Sequence, residues 1–302
     1  MIDLHTHSTV SDGSLSPAAL VAEAANKEIR VLALTDHDTL AGNDEAAEAA
    51  RSAGIGFIPG IEISGNWTGS SKVPGLGPGA EMHILGLGLG SPSPAFLAAI
   101  AALAARRLAR NLHILDLMHE LSIDATWEEI LAISGGNSIG RPHFATLLVQ
   151  KKIVRNQEQA FSRYLTPGKP LYVPKVGLNF EEAAGIIRES GGIPVLAHPM
   201  SLFVAWGRLP DLVKALKERG LMGLEAWHPM AKPKYCRRLQ TLAENLDLYV
   251  TEGSDFHGNL RPDRRLGHSG KDRKIVENIL TETALGRAFP GILPQGQIKF
   301  DT

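Results

Sequence analysis

His5 and His7 stand two apart in a short run with strand character, residues 2–6 and just beyond. Side chains at i and i+2 of a strand share a face, so two imidazoles there can clamp a metal ion. Ile2 and Leu4 would take the other face and pack under helices. Asp12, just before Gly13, either adds a carboxylate or serves a turn. Thr35-Asp36-His37-Asp38 ends a second apolar run, placing two acids and a histidine at its C-terminal edge. Capping of the next helix is the other use of that tetrad, and it suits Thr39 or Asp38 better than His37. Glu62 lies between Ile61 and Ile63, where a carboxylate is costly to bury unless cations pair with it. His83 opens a further apolar run, His198 ends another, and Asp255 and His257 stand two apart at the end of the last. Six of the eleven histidines (His5, His7, His37, His83, His198, His257) thus fall at strand ends, and unrelated accidents explain that alignment poorly.

The elements that must position these residues alternate. Strand-like runs at 2–6, 31–35, 57–63, 82–89, 193–197, 222–226 and 246–251 interleave with amphipathic stretches at 43–53, 180–190 and 209–219. Ser16-Pro17 opens another helix, with Ser as cap and Pro in the first turn. β-then-α alternation predicts a parallel sheet, open or closed into a barrel, and barrel active sites lie at the C-terminal ends of the strands. Two segments break the rhythm. Residues 70–80 are rich in Gly, Pro and Ser and read as a mobile loop. Residues 93–175 read as an inserted helical cap, with helices at 93–121, 126–134, 142–152 and 157–164, between barrel segments 1–92 and 176–302. The insertion carries ten Lys and Arg against six Asp and Glu, which fits either a solvated face or a lid for anions.

The chain has 302 residues, a formal charge of −1 and one cysteine. That balance argues against a general polyanion binder or a membrane-surface protein. A lone cysteine, Cys236, cannot make an internal disulfide, so a reducing, cytoplasmic setting is expected. The N-terminus shows no signal-peptide pattern, which leaves the Asn66 glycosylation sequon without meaning. No run is long and apolar enough for a membrane span. No obligate protein partner is evident.

Taken together, His5-Thr-His7, Thr35-Asp36-His37-Asp38, Gly60-Ile-Glu62-Ile-Ser64, His83, Ala197-His198-Pro199 and Ser254-Asp255-Phe-His257 resemble the PHP (polymerase and histidinol phosphatase) family in order and spacing. Gly140-Arg-Pro-His-Phe-Ala145 resembles its stand-alone phosphoesterases, which include nucleoside 3′,5′-bisphosphate phosphatases and 5′-to-3′ exoribonucleases. The resemblance implies an α/β fold, a distorted (β/α)7 barrel with an inserted helical cap. It also implies two or three divalent metals. His5, His7, Glu62 and Asp255 would hold the first; Glu62 would bridge to a second held by His83 and His198. Asp12, His37 and His257 would hold a third, although some members have His where this chain has Asp12.

Six imidazoles and three carboxylates without a thiolate suit Mn²⁺ first, then Zn²⁺ or Fe²⁺, over Mg²⁺. Three such cations against three carboxylates leave positive charge that favours a phosphate monoester. The expected reaction is metal-dependent phosphate ester hydrolysis, with metal lowering the pKa of bound water from ~15.7 towards ~7. Asp255 and His257 are candidates to orient that water, and His228 to protonate the leaving oxygen or touch the substrate. Asp12, His37, Arg141 and His143 are further candidate substrate contacts. His113 and His119 read as surface residues. The expected substrate is a small anionic nucleotide, a nucleoside 3′,5′-bisphosphate. The alternatives are 5′-to-3′ trimming of short 5′-phosphorylated RNA, histidinol phosphate hydrolysis, and a non-catalytic metal-binding module.

Overall fold

The computed structural model describes residues 1–65, 82–134 and 138–293. The expected loop at 70–80, the Asn66 sequon and Trp67 lie outside them. The chain divides into two compact units, Met1–Leu97 with the chain from Leu178 onward, and Ala98–Gly177.

The first unit is an α/β barrel. Its seven strands follow one another in space as in sequence: β1 (Ile2–Asp3), β2 (Val31–Leu34), β3 (Gly56–Gly65), β4 (Met82–Leu87), β5 (Ile193–Leu196), β6 (Gly223–Trp227) and β7 (Tyr249–Glu252). The sheet nearly closes, because Thr6 bridges Phe256 in parallel and Asp255 N–H donates to the His5 carbonyl at 2.9 Å. The architecture is a distorted (β/α)7 barrel.

Strand alternation builds two cores. Val31 and Ala33, Ile58, Leu85 and Leu87, and Ile193, Val195 and Ala197 gather in one buried inner cluster. Leu32 and Leu34 face the other way, towards Leu20, Val21 and Ala24 of α1 (Pro17–Asn26) and Ala46 and Ala50 of α2 (Asn43–Ala53). The Ser16 side chain caps α1 by accepting from Ala19 N–H. α2 starts only at Asn43, so neither Asp38 nor Thr39 caps it.

Two expectations are corrected. The sheet is not uniformly parallel: β4 runs antiparallel to both β3 and β5. Ile2 and Leu4 do not take the outer face under the helices that follow the early strands; they join the inner cluster, together with Ile279 and Leu280 of a short C-terminal helix. β1 ends at Asp3, so strict alternation lapses beyond it.

Asp3 secures that early strand. Its buried carboxylate accepts from the backbone N–H groups of His5 at 3.3 Å, Ser254 at 3.0 Å and Gly267 at 2.7 Å. It thereby ties the first strand to the chain following the last.

The second unit has its own core, in which Ile114, Met118, Ile130, Phe144, Leu148 and Leu165 are buried. They come from α3 (Pro94–Glu120), α4 (Trp127–Ser134), α5 (Arg141–Gln150) and the turn after α6 (Gln157–Ala160). The single helix expected at 157–164 is instead α6 followed by a π-helical turn, Phe161–Leu165. The remaining helices belong to the barrel unit: α7 (Phe180–Glu189), α8 (Leu209–Glu218), α9 (Pro233–Asn245), α10 (Asn278–Thr281) and α11 (Ala284–Ala288). Among the described residues no helix is long and apolar enough to cross a membrane.

Replacing Asp3 by Ala leaves three buried N–H groups without an acceptor. The expected loss is about 3 kcal/mol or more of unfolding free energy in urea titration. Stability equal to the parent would remove Asp3 from this role.

Candidate metal centre

Glu62 lies on the inner row of β3, two residues beyond Gly60 and four beyond Ile58, and is fully buried. Five imidazoles surround it. Oε2 lies 3.3 Å from His5 Nε2, 3.2 Å from His7 Nε2 and 3.2 Å from His37 Nδ1. Oε1 lies 2.8 Å from His83 Nδ1 and 2.9 Å from His198 Nε2. The antiparallel course of β4 explains why His83 arrives from the start of a strand: it pairs with Ser64, near the C-terminal end of β3.

Asp255 forms a second focus. Its Oδ1 lies 3.3 Å from His7 Nε2, 3.6 Å from His5 Nε2 and 3.5 Å from His257 Nδ1, and its Oδ2 lies 3.3 Å from His228 Nε2. Asp12, partly exposed, is the third. Its Oδ1 lies 3.3 Å from His257 Nε2 and 3.8 Å from His7 Nδ1, and its Oδ2 lies 3.7 Å from His37 Nε2. Candidate ligand atoms within 4.8 Å of one another form the groups His5–His7–Glu62–Asp255, His37–Glu62–His83 and His7–Asp12–His37–His257.

Hydrogen bonds set the ring orientations. His5 Nδ1–H donates to Glu225 Oε1 at 3.0 Å, leaving Nε2 to face the cluster. His257 Nδ1–H donates to the Asp255 carbonyl at 2.8 Å, which likewise turns Nε2 towards Asp12. His228 differs: its Nδ1 accepts from Met230 N–H at 3.2 Å, so the neutral ring carries its proton on Nε2, facing Asp255.

The local backbone is shaped for this convergence. Asp38, His198 and Asp255 have φ of 53°, 27° and 53°, a region costly for residues with a Cβ and frequent at functional sites. At Gly253 a Cβ would stand 2.3 Å from His5 Cβ and 2.7 Å from Glu225 Oε1, so only glycine fits. Asp36, one of the acids flanking His37, points elsewhere: it accepts from Ser8 N–H at 2.7 Å and from the Ser8 and Ser11 hydroxyls at 2.6 and 2.5 Å. It holds the loop between His7 and Asp12.

Burial alone would raise the Glu62 carboxyl, but His37, His83 and His5 hold it well below the usual carboxylate range. Burial likewise opposes ionisation of Asp255, and His228 and His7 overcome it. Burial disfavours a charged His5, yet Glu225 and Glu62 keep it well above the usual histidine value. For His7, Asp255 and Glu62 outweigh burial and raise the pKa to about 10. For His37 burial prevails, and the pKa falls to about 3.

These residues fit divalent metal ions. His5 Nε2 and His7 Nε2 face each other at 3.1 Å while both face Glu62, a convergence that a cation between them satisfies. His7 Nδ1 and His37 Nδ1 are buried without a well-aligned hydrogen bond. Nitrogen and carboxylate donors without a thiolate suit borderline divalent metals. Cys236 is buried in α9, with Sγ 3.5 Å from the Ala231 carbonyl.

Arg141 and His143 lie in the second unit. The Arg141 guanidinium carbon is 5.9 Å from the centre of the Tyr172 ring, and His143 Nδ1 accepts from Gly140 N–H at 3.0 Å, capping α5. His113 and His119 are exposed. Sequence reasoning missed Glu225. It is fully buried in β6, and besides holding His5 it accepts from His198 N–H at 2.6 Å through Oε2. The available signal was the one that singled out Glu62, an acid inside an apolar strand.

Two outcomes are expected. The carboxylates around His5 and His7 favour their charged forms in the metal-free protein, but the two Nε2 atoms face each other at 3.1 Å, where only one can carry a hydrogen. Metal ligation requires neutral rings, so Mn²⁺ binding should release about one proton and tighten as pH rises. Calorimetry in buffers of different ionisation enthalpy reads this directly, and zero release contradicts it. Glu225→Gln keeps one side-chain acceptor where two N–H groups need one each. It should weaken Mn²⁺ binding by about 10–100-fold in a folded protein; unchanged affinity would show that Glu225 does not orient the cluster.

The sequence matches the PHP domain model over residues 3–165. A 5′-3′ exoribonuclease of Haemophilus influenzae is 36% identical over 255 residues, 84% of this chain and 89% of that protein. A 3′,5′-nucleoside bisphosphate phosphatase of Chromobacterium violaceum is 34% identical over 269 residues, 89% of this chain and 91% of that protein. Among solved structures, an amidohydrolase from Chromobacterium violaceum with bound sulfate superposes with a TM-score of 0.76 at 31% identity, covering 93% of this chain and 96% of that one. A Bifidobacterium adolescentis chain described as a metal-dependent phosphoesterase gives 0.71 at 30% identity, covering 94% and 98%. By domain match and by relatives aligned over most of its length, this chain belongs to the PHP domain family.

Proposed function

We propose that this chain is a metal-dependent phosphatase acting on a nucleotide phosphate monoester, first of all a nucleoside 3′,5′-bisphosphate, from which it removes the 3′-phosphate to leave the 5′-nucleotide. One observation carries the reading: Glu62, fully buried, divides its two oxygens between separate sets of imidazoles. A carboxylate so placed could serve two cations. His5, His7 and Asp255 would hold the first with it, His83 and His198 the second, and Asp12, His37 and His257 would hold a third. Mn²⁺ is the first choice of metal, with Zn²⁺ and Fe²⁺ also suited to these donors.

Bound divalent metals would supply a water acidic enough to ionise near neutral pH and positive charge for the phosphoryl oxygens. The chain's own groups handle the protons and the geometry. Asp255 turns Oδ1 towards the histidine cluster and Oδ2 towards His228. It orients the attacking water, with His257 beside it. His228, protonated on Nε2, is the donor to the leaving oxygen. Asp12 and His37 would add contacts to substrate phosphate. A cytoplasmic setting fits the single thiol.

The Chromobacterium phosphatase, aligned over 89% of the chain, supports the bisphosphate reading. The Haemophilus exoribonuclease, at 36% identity, supports a second reading, trimming of short 5′-phosphorylated RNA. The basic excess of residues 93–175 favours the same alternative. A non-catalytic module fits poorly with so complete a donor set.

Turnover of adenosine 3′,5′-bisphosphate should exceed that of a 5′-phosphorylated oligoribonucleotide when both are compared by kcat/KM with Mn²⁺ supplied. A preference of several hundredfold for the oligonucleotide would replace the first reading by the second. No phosphate release from a broad ester panel would sink both.

A further inference from the structure

The loop after His257 carries three arginines, Arg261, Arg264 and Arg265. Arg261 and Arg265 are exposed, and Arg265 pairs with Asp272. Arg264 is turned inward and is only 6% exposed. Arginine is rarely so buried unless its charge is matched, because removing a guanidinium from water is expensive.

The match here is incomplete. Arg264 Nε lies 3.5 Å from Asp263 Oδ2 and 3.8 Å from Asp255 Oδ2. Asp263 is largely exposed and so screened by water. Nε is buried and makes no hydrogen bond. Asp255 is already shared, since His5, His7 and His257 surround Oδ1 and His228 faces Oδ2. Once cations occupy the Asp255 position, that carboxylate has no negative charge to spare for a guanidinium. Arg264 is then a fixed positive charge at the edge of the centre, with planar donors in need of an oxyanion.

We propose that Arg264 is an anion-binding residue of the site, holding a phosphoryl oxygen of the substrate or of released phosphate beside Asp255. The inference rests on the phosphoesterase reading for the identity of its ligand. The guanidinium plane presents paired N–H groups that match phosphate oxygens two at a time, which an ammonium cannot do. It would contribute no ligand to the metals. It would act on anion affinity.

The test uses the full chain loaded with Mn²⁺ and inorganic phosphate as the probe, with affinity read by calorimetry and bound metal by elemental analysis. Arg264→Met should weaken phosphate binding at least tenfold while metal content stays at the parent level. Arg264→Lys, which keeps the charge and protects against failure of the first variant to fold, should fall between the two. Arg265→Met, on the exposed neighbour, should bind phosphate as the parent does. Phosphate affinity within twofold of the parent in both Arg264 variants would overturn the proposal. So would loss of bound metal in Arg264→Met, which would instead make the arginine a support for Asp255. If the parent binds phosphate through Arg264 yet hydrolyses no ester, the phosphatase reading fails and this inference stands; hydrolysis with unaltered phosphate binding in the variants separates the two the other way.

Discussion

A carboxylate sits inside the barrel where its neighbours along the same row are Ile58 and Gly60, and the structure is arranged around making that tolerable. Glu62 is fully buried from bulk solvent. Its ionised form survives because imidazoles approach both oxygens, and the imidazoles keep that approach because other groups hold them. Glu225 grips His5 by its far nitrogen and His198 by its backbone. Removing any one positive partner leaves an uncompensated buried charge, which costs far more than the net worth of the pair. The cluster therefore behaves as a unit. In the absence of metal, a proton held by the His5–His7 pair provides countercharge; divalent cations would be the alternative and would compete with it for the same nitrogens.

The barrel geometry follows from this need for convergence. The inner row is apolar at the N-terminal ends of the parallel strands and becomes imidazole and carboxylate at the other ends. A single reversal, β4, inverts that order locally, so a histidine at the start of a strand joins histidines that follow strand ends. Closure between the first and last strands depends on Asp3 and on the Thr6–Phe256 bridge, which bring His5 and His7 against Asp255 and His257. The φ values of His198 and Asp255 show that the backbone bends out of its easy conformations to complete the ring. Gly253 lets the last strand come within contact of His5 and Glu225 without a side chain between them.

Charge decides what such a site can accept. Several divalent cations would outweigh the three carboxylates Asp12, Glu62 and Asp255, and the buried Arg264 adds to the excess. A dianionic phosphoryl group restores balance, whereas a neutral ester does not. The same logic separates Asp255 from Glu62. Both are buried acids among histidines, but only Asp255 divides its oxygens between the cluster and the Nε2–H of a neutral imidazole, His228. That asymmetry suits proton handling, while the two-sided environment of Glu62 suits bridging.

Much of the fold and the centre was legible in the sequence. Alternating apolar runs and amphipathic helices located the strands within a few residues, because burial of one strand face and one helix stripe leaves a periodic trace. Histidines and acids at the ends of apolar runs marked the side chains that gather around Glu62, Asp255 and Asp12, because polar groups are tolerated there only with a purpose. Glu225 carried the same trace as Glu62 and was missed because no neighbouring motif drew attention to it. Other features leave no local trace. The reversal of β4 and the inward packing of Ile2 and Leu4 depend on pairing between distant segments, as does the inward turn of Arg264 when its two loop neighbours face solvent. Residue types and spacing singled out the histidines and acids that the fold gathers together. Which oxygen meets which nitrogen was decided only by the closed sheet, since that is where residues as far apart in the chain as Asp3 and Ser254, 251 positions, come within hydrogen-bonding distance.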